Sequence, residues 1–250
     1  MENKGKVAIV TGASGGIGRQ VSLKLAAQGT RVALVARNMD KLNELKGEIG
    51  KAGGQAIALS TDITNGKAVE TMAAEVVEQL GSIDILVNCA FWGPPGSLEQ
   101  TTEEFWDRTM DTTLKAPFLC VRAVVPYMRK AGAGRIVNIG SKAGKVGEDN
   151  RTAYCAAKWG LEGLNAALRE ELVRDNIHVH MITPAATNTS WWPDVGAKLT
   201  SEVLARFVPP ETIAEAVVFA ITAPDRVIIP DIPVYNFRDP FEGKSSPFAE

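Results

Sequence analysis

The stretch Thr11-Gly12-Ala13-Ser14-Gly15-Gly16-Ile17-Gly18 constrains this chain more than any other. An apolar run at 7–10 leads into it and an amphipathic run at 18–28 leads out, so it reads as a strand-to-helix turn. Glycine lets a backbone turn tightly and approach a bound group closely. A helix that begins at such a turn offers free N–H groups and its positive end to an anion. The key glycines fall at 12, 16 and 18, a spacing unlike the three-glycine dinucleotide fingerprint. The Gly-Lys-Ser/Thr ending of a nucleotide triphosphatase loop is also absent. A Gly-rich turn without a ligand is the other reading.

The rest of the chain supplies the context that such a turn needs. Apolar runs at 7–10, 32–35, 56–59, 85–87, 135–139 and 177–182 read as buried strands. Amphipathic runs at 18–28, 40–51, 67–80, 102–130 and 153–174 read as helices, with Pro117 and Pro126 predicting a bend or boundary in the fourth. This alternation predicts an α/β fold with a parallel sheet and helices on both faces. A single domain over residues 1–250 suits the length. A net charge of −2 and a pI near 5.9 predict no nucleic-acid partner and no membrane-surface partner. No leader-like stretch precedes the first strand and no apolar run reaches membrane-spanning length, so a cytoplasmic protein is expected. Cys89, Cys120 and Cys155 are too scattered for a disulfide framework or a zinc site, and His178 and His180 lack metal-ligand spacing. No metal site is expected.

The composition changes after Thr183. Pro184, Trp191-Trp192-Pro193 and Pro209-Pro210 interrupt a segment, about 186–210, that reads as a lid over a pocket. A surface excursion is the alternative, although two adjacent tryptophans are costly to leave in water. If the run 227–235 is a strand, its prolines favour an edge. The tail 236–250 is read as loosely ordered or docked on a neighbouring subunit.

Further motifs occur in a telling order. Asp62 follows the third strand and Asn88 the fourth, then come Ser141, Tyr154-Cys155-Ala156-Ala157-Lys158, Pro184 and Thr189. With Thr-Gly-x-x-x-Gly-x-Gly near the N-terminus, the chain resembles the short-chain dehydrogenase/reductase family over about residues 5–225. The resemblance implies a Rossmann-like doubly wound sheet and a cofactor groove. Gly12, Ser14, Gly16, Ile17 and Gly18 would hold a pyrophosphate. Asp62 and Ile63 would border an adenine, and Asn88 and Ala90 would shape the groove. Pro184, Thr187 and Thr189 would close its nicotinamide end. An acidic residue ending the second strand would favour NAD, but Ala36-Arg37-Asn38 stands there instead. A guanidinium paired with a 2′-phosphate contributes about 1.5–3 kcal/mol, so NADP(H) is the expected cofactor. Arg37 as a solvated loop cation is the alternative.

On a helix Tyr154 and Lys158, four residues apart, share a face. A nearby cation favours phenolate and lowers a phenol pKa from about 10. The resemblance assigns Tyr154 as general acid or base. Lys158 would tune it and hold the nicotinamide ribose, and Ser141 would bond the substrate oxygen. Thr113 stands where many relatives carry an Asn that holds a relay water, and would hold that water by its hydroxyl or leave the relay to run differently. Other departures are Phe91 in place of a glycine beside the cofactor, Ala185 after Pro184, and the missing Asp-Gly-Gly ending.

Phe91, Trp92, Val146, Trp191 and Trp192 are candidate pocket walls, or else core, and suggest an apolar or aromatic carbonyl or alcohol substrate. Reduction of a ketone or aldehyde is favoured because NADPH usually serves reduction. Arg122, Arg129 and Lys130 read as a solvated helix face rather than a docking site for an acyl carrier protein. A homodimer or homotetramer is implied by the resemblance. A catalytically silent NADP-binding regulator, and a dehydratase or epimerase, are the competing readings.

Overall fold

The computed structural model describes residues 3–241. Its framework is one parallel sheet of seven strands: β1 (Val7–Thr11), β2 (Arg31–Ala36), β3 (Ala56–Ser60), β4 (Ile85–Asn88), β5 (Gly134–Ile139), β6 (Ile177–Pro184) and β7 (Asp231–Val234). The order is β3-β2-β1-β4-β5-β6-β7. Successive side chains of a strand point to opposite faces. Val7 and Ile9 accordingly enter one core while Ala8 and Val10 enter the other. Both faces are covered, which is why these strands read as unbroken apolar runs.

The helices are α1 (Gly16–Ala27), α2 (Met39–Lys51), α3 (Gly66–Leu80), α4 (Glu103–Met110), α5 (Ala116–Ala131), α6 (Thr152–Leu172), α7 (Trp191–Asp194), α8 (Ser201–Leu204) and α9 (Pro210–Ile221). Val21 and Leu25 of α1, Leu42 and Leu45 of α2, and Ile213 and Val217 of α9 fill one core. Val69, Met72 and Val76 of α3 with Val124 and Met128 of α5 fill the other. The chain runs β1-β2-β3 outward in one direction and then returns to place β4 on the other side of β1. That reversal opens a crevice at the carboxyl ends of β1 and β4, the usual ligand position in such sheets.

Two expectations about elements are corrected. The run 102–130 is two helices separated by a wider π-type turn at Asp111–Lys115, in which Ala116 N–H donates to the carbonyl of Asp111. Pro117 sits just beyond it, where the backbone runs on helically from the π-type turn into α5, so its missing N–H removes one helical donor beside the widened turn. Pro126 lies inside α5 without ending it. The strand anticipated at 227–235 is confined to Asp231–Val234, at the sheet edge as its prolines require.

Candidate functional site

A cavity of about 740 Å3 occupies the crevice. Its floor is the turn after β1. Gly12 and Gly16 adopt φ of +67° and +52°, which side chains other than glycine rarely adopt. A Cβ on Gly18 would overlap the carbonyl oxygen of Gly12, and one on Gly12 would lie 2.9 Å from Ala90 Cα. The turn is tied to the end of β4, because Thr11 Oγ1 accepts from the N–H groups of Cys89 and Ala90 at 3.1 and 3.3 Å. Asn38, Asn65 and Thr102 cap α2, α3 and α4 with their side chains, whereas α1 starts at Gly15 with no side-chain cap. The positive end of α1 therefore faces the cavity beside Ser14, Gly16 and Ile17, and these residues fit a pyrophosphate.

Ala36, Arg37, Asn38, Asp62 and Ile63 line the far end, with Lys41, a cation the sequence reading missed. Asn38 lies on the wall while its side chain accepts from Lys41 N–H at 3.0 Å. Asp62 accepts from the Thr64 hydroxyl and N–H at 2.7 and 3.0 Å. Those bonds, with the charge of Arg37, hold its carboxyl below its ordinary pKa. Ala90, Pro184, Thr187 and Thr189 line the near end.

Asn88 is corrected. It is buried behind the wall, and its Nδ2 donates to Asn138 Oδ1 at 2.9 Å. Asn138 Nδ2 in turn donates to Asn165 Oδ1 at 2.9 Å. This chain of amides links β4, β5 and α6, so Asn88 shapes the groove only through the elements it holds. Polar residues buried in a core carry no periodic signal, and Asn138 and Asn165 went unread in the sequence.

Tyr154 and Lys158 project from α6 towards Ser141 at the end of β5, and all three line the cavity. Burial pushes the Tyr154 phenol above its ordinary pKa, opposed by the Arg151 guanidinium and by a hydrogen bond with Ser141. Burial pushes Lys158 down to about 7. Lys158 Nζ donates to the Ile139 carbonyl at 2.7 Å and lies 5.7 Å from the ring centre of Tyr154. Arg151 stands closer, with its guanidinium carbon 4.2 Å from that centre. The sequence singled out neither Arg151 nor Gly93, where a Cβ would come within 2.7 Å of Tyr154 Cδ2.

Thr113 is buried within the π-type turn. Its Oγ1 donates to the Trp92 carbonyl at 2.7 Å and accepts from Trp92 N–H at 3.1 Å. The hydroxyl proton thus goes to the loop after β4, so Thr113 positions that loop against the π-type turn.

The aromatic residues divide by role. Phe91 lies 5.9 Å from the Tyr154 ring and 5.8 Å from Trp191, at the centre of the site. Trp92 lines the cavity while packed between Phe105 at 4.9 Å and the guanidinium of Arg108 at 4.3 Å. Trp192 touches the cavity but serves mainly as the core of segment 186–210. Its Nε1 donates to the Thr187 carbonyl at 2.8 Å, and its ring packs on Phe207 and Phe241. Val146 does not belong to the wall. It follows the 3-10 turn at Lys142–Gly144, bonds back to the Lys142 carbonyl and is 44% exposed.

The first residues of the tail are placed. Asn236 Nδ2 donates to the carbonyls of Ala186 and Arg206 at 3.0 and 2.8 Å, and Asp239, Pro240 and Phe241 complete the cavity rim. Residues 236–241 therefore pack on segment 186–210 of the same chain, while 242–250 lie outside the described residues. Trp192→Ala should leave a void under α7 and α8, since truncating a buried aromatic costs about 3–5 kcal/mol. Limited proteolysis should then cut within 186–210 while the sheet stays resistant. An unaltered digestion pattern would show that Trp192 does not hold this segment.

Among the described residues no group of histidine, cysteine and carboxylate side chains is placed to hold a metal, and no helix is long and apolar enough to cross a membrane.

The comparisons agree with this geometry. A relative named (2S)-[(R)-hydroxy(phenyl)methyl]succinyl-CoA dehydrogenase subunit BbsD, from Thauera aromatica, is 34% identical over 86% of this chain and 88% of its own. Glycine betaine reductase ATRR of Emericella nidulans is 34% identical over 91% of this chain, which spans only 18% of that much longer protein. The crystal structure of a metagenomic short-chain oxidoreductase in complex with NADP superposes with a TM-score of 0.83. It is 34% identical and covers 95% of this chain and all of its own. The family model for short chain dehydrogenases matches residues 6–199, well over half of the sequence. The chain belongs to the short-chain dehydrogenase family.

Proposed function

We propose that the chain is an NADP(H)-dependent oxidoreductase that reduces the carbonyl of a small apolar or aromatic compound. One observation carries this reading: Ser141, Tyr154 and Lys158 open into the same cavity as the glycine turn, beneath Phe91 and Trp191. When bound, the nicotinamide supplies the hydride. Tyr154, kept protonated at neutral pH by burial, donates its proton to the substrate oxygen. Ser141, hydrogen-bonded to Tyr154, is placed to hold that oxygen. Lys158, pushed to about 7, can pass a proton on and meet the ribose hydroxyls. One relative is named a reductase and the other a dehydrogenase. The direction is therefore argued from cofactor choice.

That choice rests on Arg37, which lines the cavity next to Ala36, the residue that ends β2 where a carboxylate would favour NAD. The NADP-bound relative supports it. Titration should show NADPH binding about tenfold or more tighter than NADH, as one or two charge-assisted bonds require, with Arg37→Ala closing the gap. Equal affinities would remove the assignment. NADPH oxidation with a panel of ketones and aldehydes tests the activity itself, and its absence throughout would favour a silent cofactor-binding protein. We place the protein in the cytoplasm as a homodimer or homotetramer built on α4–α5 and α6, where Phe118 and Trp159 are exposed.

A further inference from the structure

Arg151 is an unusual residue for its place. It stands at the N-cap of α6, where Ser, Thr, Asp and Asn are favoured and a cation opposes the helix dipole. Its side chain gives no capping bond. Nε is buried with no hydrogen-bond partner, and no ion pair with a described carboxylate forms. Glu148 and Asp149 share the cavity wall with it, as do Lys142, Asp194 and Arg108, yet none of the three carboxylates pairs with it. The guanidinium instead lies over two rings, 4.2 Å from the centre of Tyr154 and 5.2 Å from that of Trp191. A partly buried cation without an anion at the positive end of a helix lowers stability unless something else pairs with it.

We propose that Arg151 recognises an anionic group of the substrate, so that the cavity selects oxo acids with an apolar or aromatic body over their neutral esters. The inference deepens the carbonyl-reductase reading and rests on it for turnover. Because the guanidinium stands over the Tyr154 ring, the anion lies within a few bonds of the reacting carbonyl. Phe91 and Trp191 then flank the body of the substrate. For an aryl oxo acid the hydride of NADPH goes to the carbonyl carbon and the Tyr154 proton to its oxygen. The products are the hydroxy acid and NADP+, and the carboxylate stays paired with Arg151 throughout.

Two measurements test this. Calorimetry of the full chain with excess NADP+ present compares phenylacetate with phenylacetamide, which match in shape and differ in charge. Phenylacetate should bind about tenfold or more tighter, as a charge-assisted pair requires. The gap should close in Arg151→Gln and reopen in part in Arg151→Lys. Equal affinity in the wild type, binding by neither compound, or a gap that survives in Arg151→Gln overturns the proposal. The second measurement is the ratio of kcat/KM for benzoylformate to that for methyl benzoylformate. A merely structural Arg151 would lower both rates together and leave the ratio unchanged in Arg151→Gln, which also overturns it. If no carbonyl compound turns over while the calorimetric gap behaves as expected, the oxidoreductase reading falls and the anion site stands.

Discussion

Replacing Tyr154 by Phe should lower carbonyl reduction by about 10²–10⁴-fold, because proton transfer by a positioned group contributes that much. The ring contacts with Phe91 and Arg151 do not involve the hydroxyl, so the fold and NADPH affinity should persist. The pH profile adds a second signature. Burial raises the pKa of Tyr154, so the phenol keeps its proton through neutrality and its loss should depress reduction only on the alkaline side, apart from the inflection near 7 that Lys158 contributes. That alkaline limb should vanish in Tyr154→Phe. Stopped-flow rates against pH check both, and near wild-type turnover in the variant would eliminate Tyr154 as the proton donor.

Gly18→Ala should damage cofactor binding more than any other change of a single methyl group. The new Cβ would run into the carbonyl oxygen of Gly12, a backbone atom already fixed by a positive φ and by the approach of Ala90. The turn must open to admit it, and overpacking of this kind costs about 1–3 kcal/mol. The expected results are roughly a 10–100-fold loss in NADPH affinity and a Tm lower by roughly 2–10 °C. Gly47 in α2 is the control, since a Cβ there meets nothing and alanine is the better helix former. Gly47→Ala should hold or raise Tm. Equal behaviour of the two variants would contradict the close approach at Gly18.

The strands were legible because a sheet buried on both faces leaves unbroken apolar runs such as that at 7–10, and the helices because each buries one stripe. Tyr154 and Lys158 were legible because a fixed interval on one helix puts both on the same face. Arg151 was not, since its meaning comes from what surrounds it in space: a cap without a capping bond and a cation without an anion. The amides of Asn88, Asn138 and Asn165 come from three separate segments and meet only in the folded core. Sequence position could not show that the Trp92 carbonyl accepts the proton of Thr113. Trp191 and Trp192 look equivalent in sequence, yet a short helix turns one toward Phe91, the neighbour of Tyr154, and the other into the core of segment 186–210.

The last strand bears on how this molecule avoids sticking to itself. The carbonyls of Pro230 and Val234 accept from Met181 and Ala185, so alternate residues of β7 face β6 and those between face outward. Pro233 is one of the outward residues, and its ring nitrogen has no hydrogen to offer. An incoming strand would therefore find a missing donor along a rim only four residues long. That edge resists templated sheet growth at no cost to its own pairing with β6.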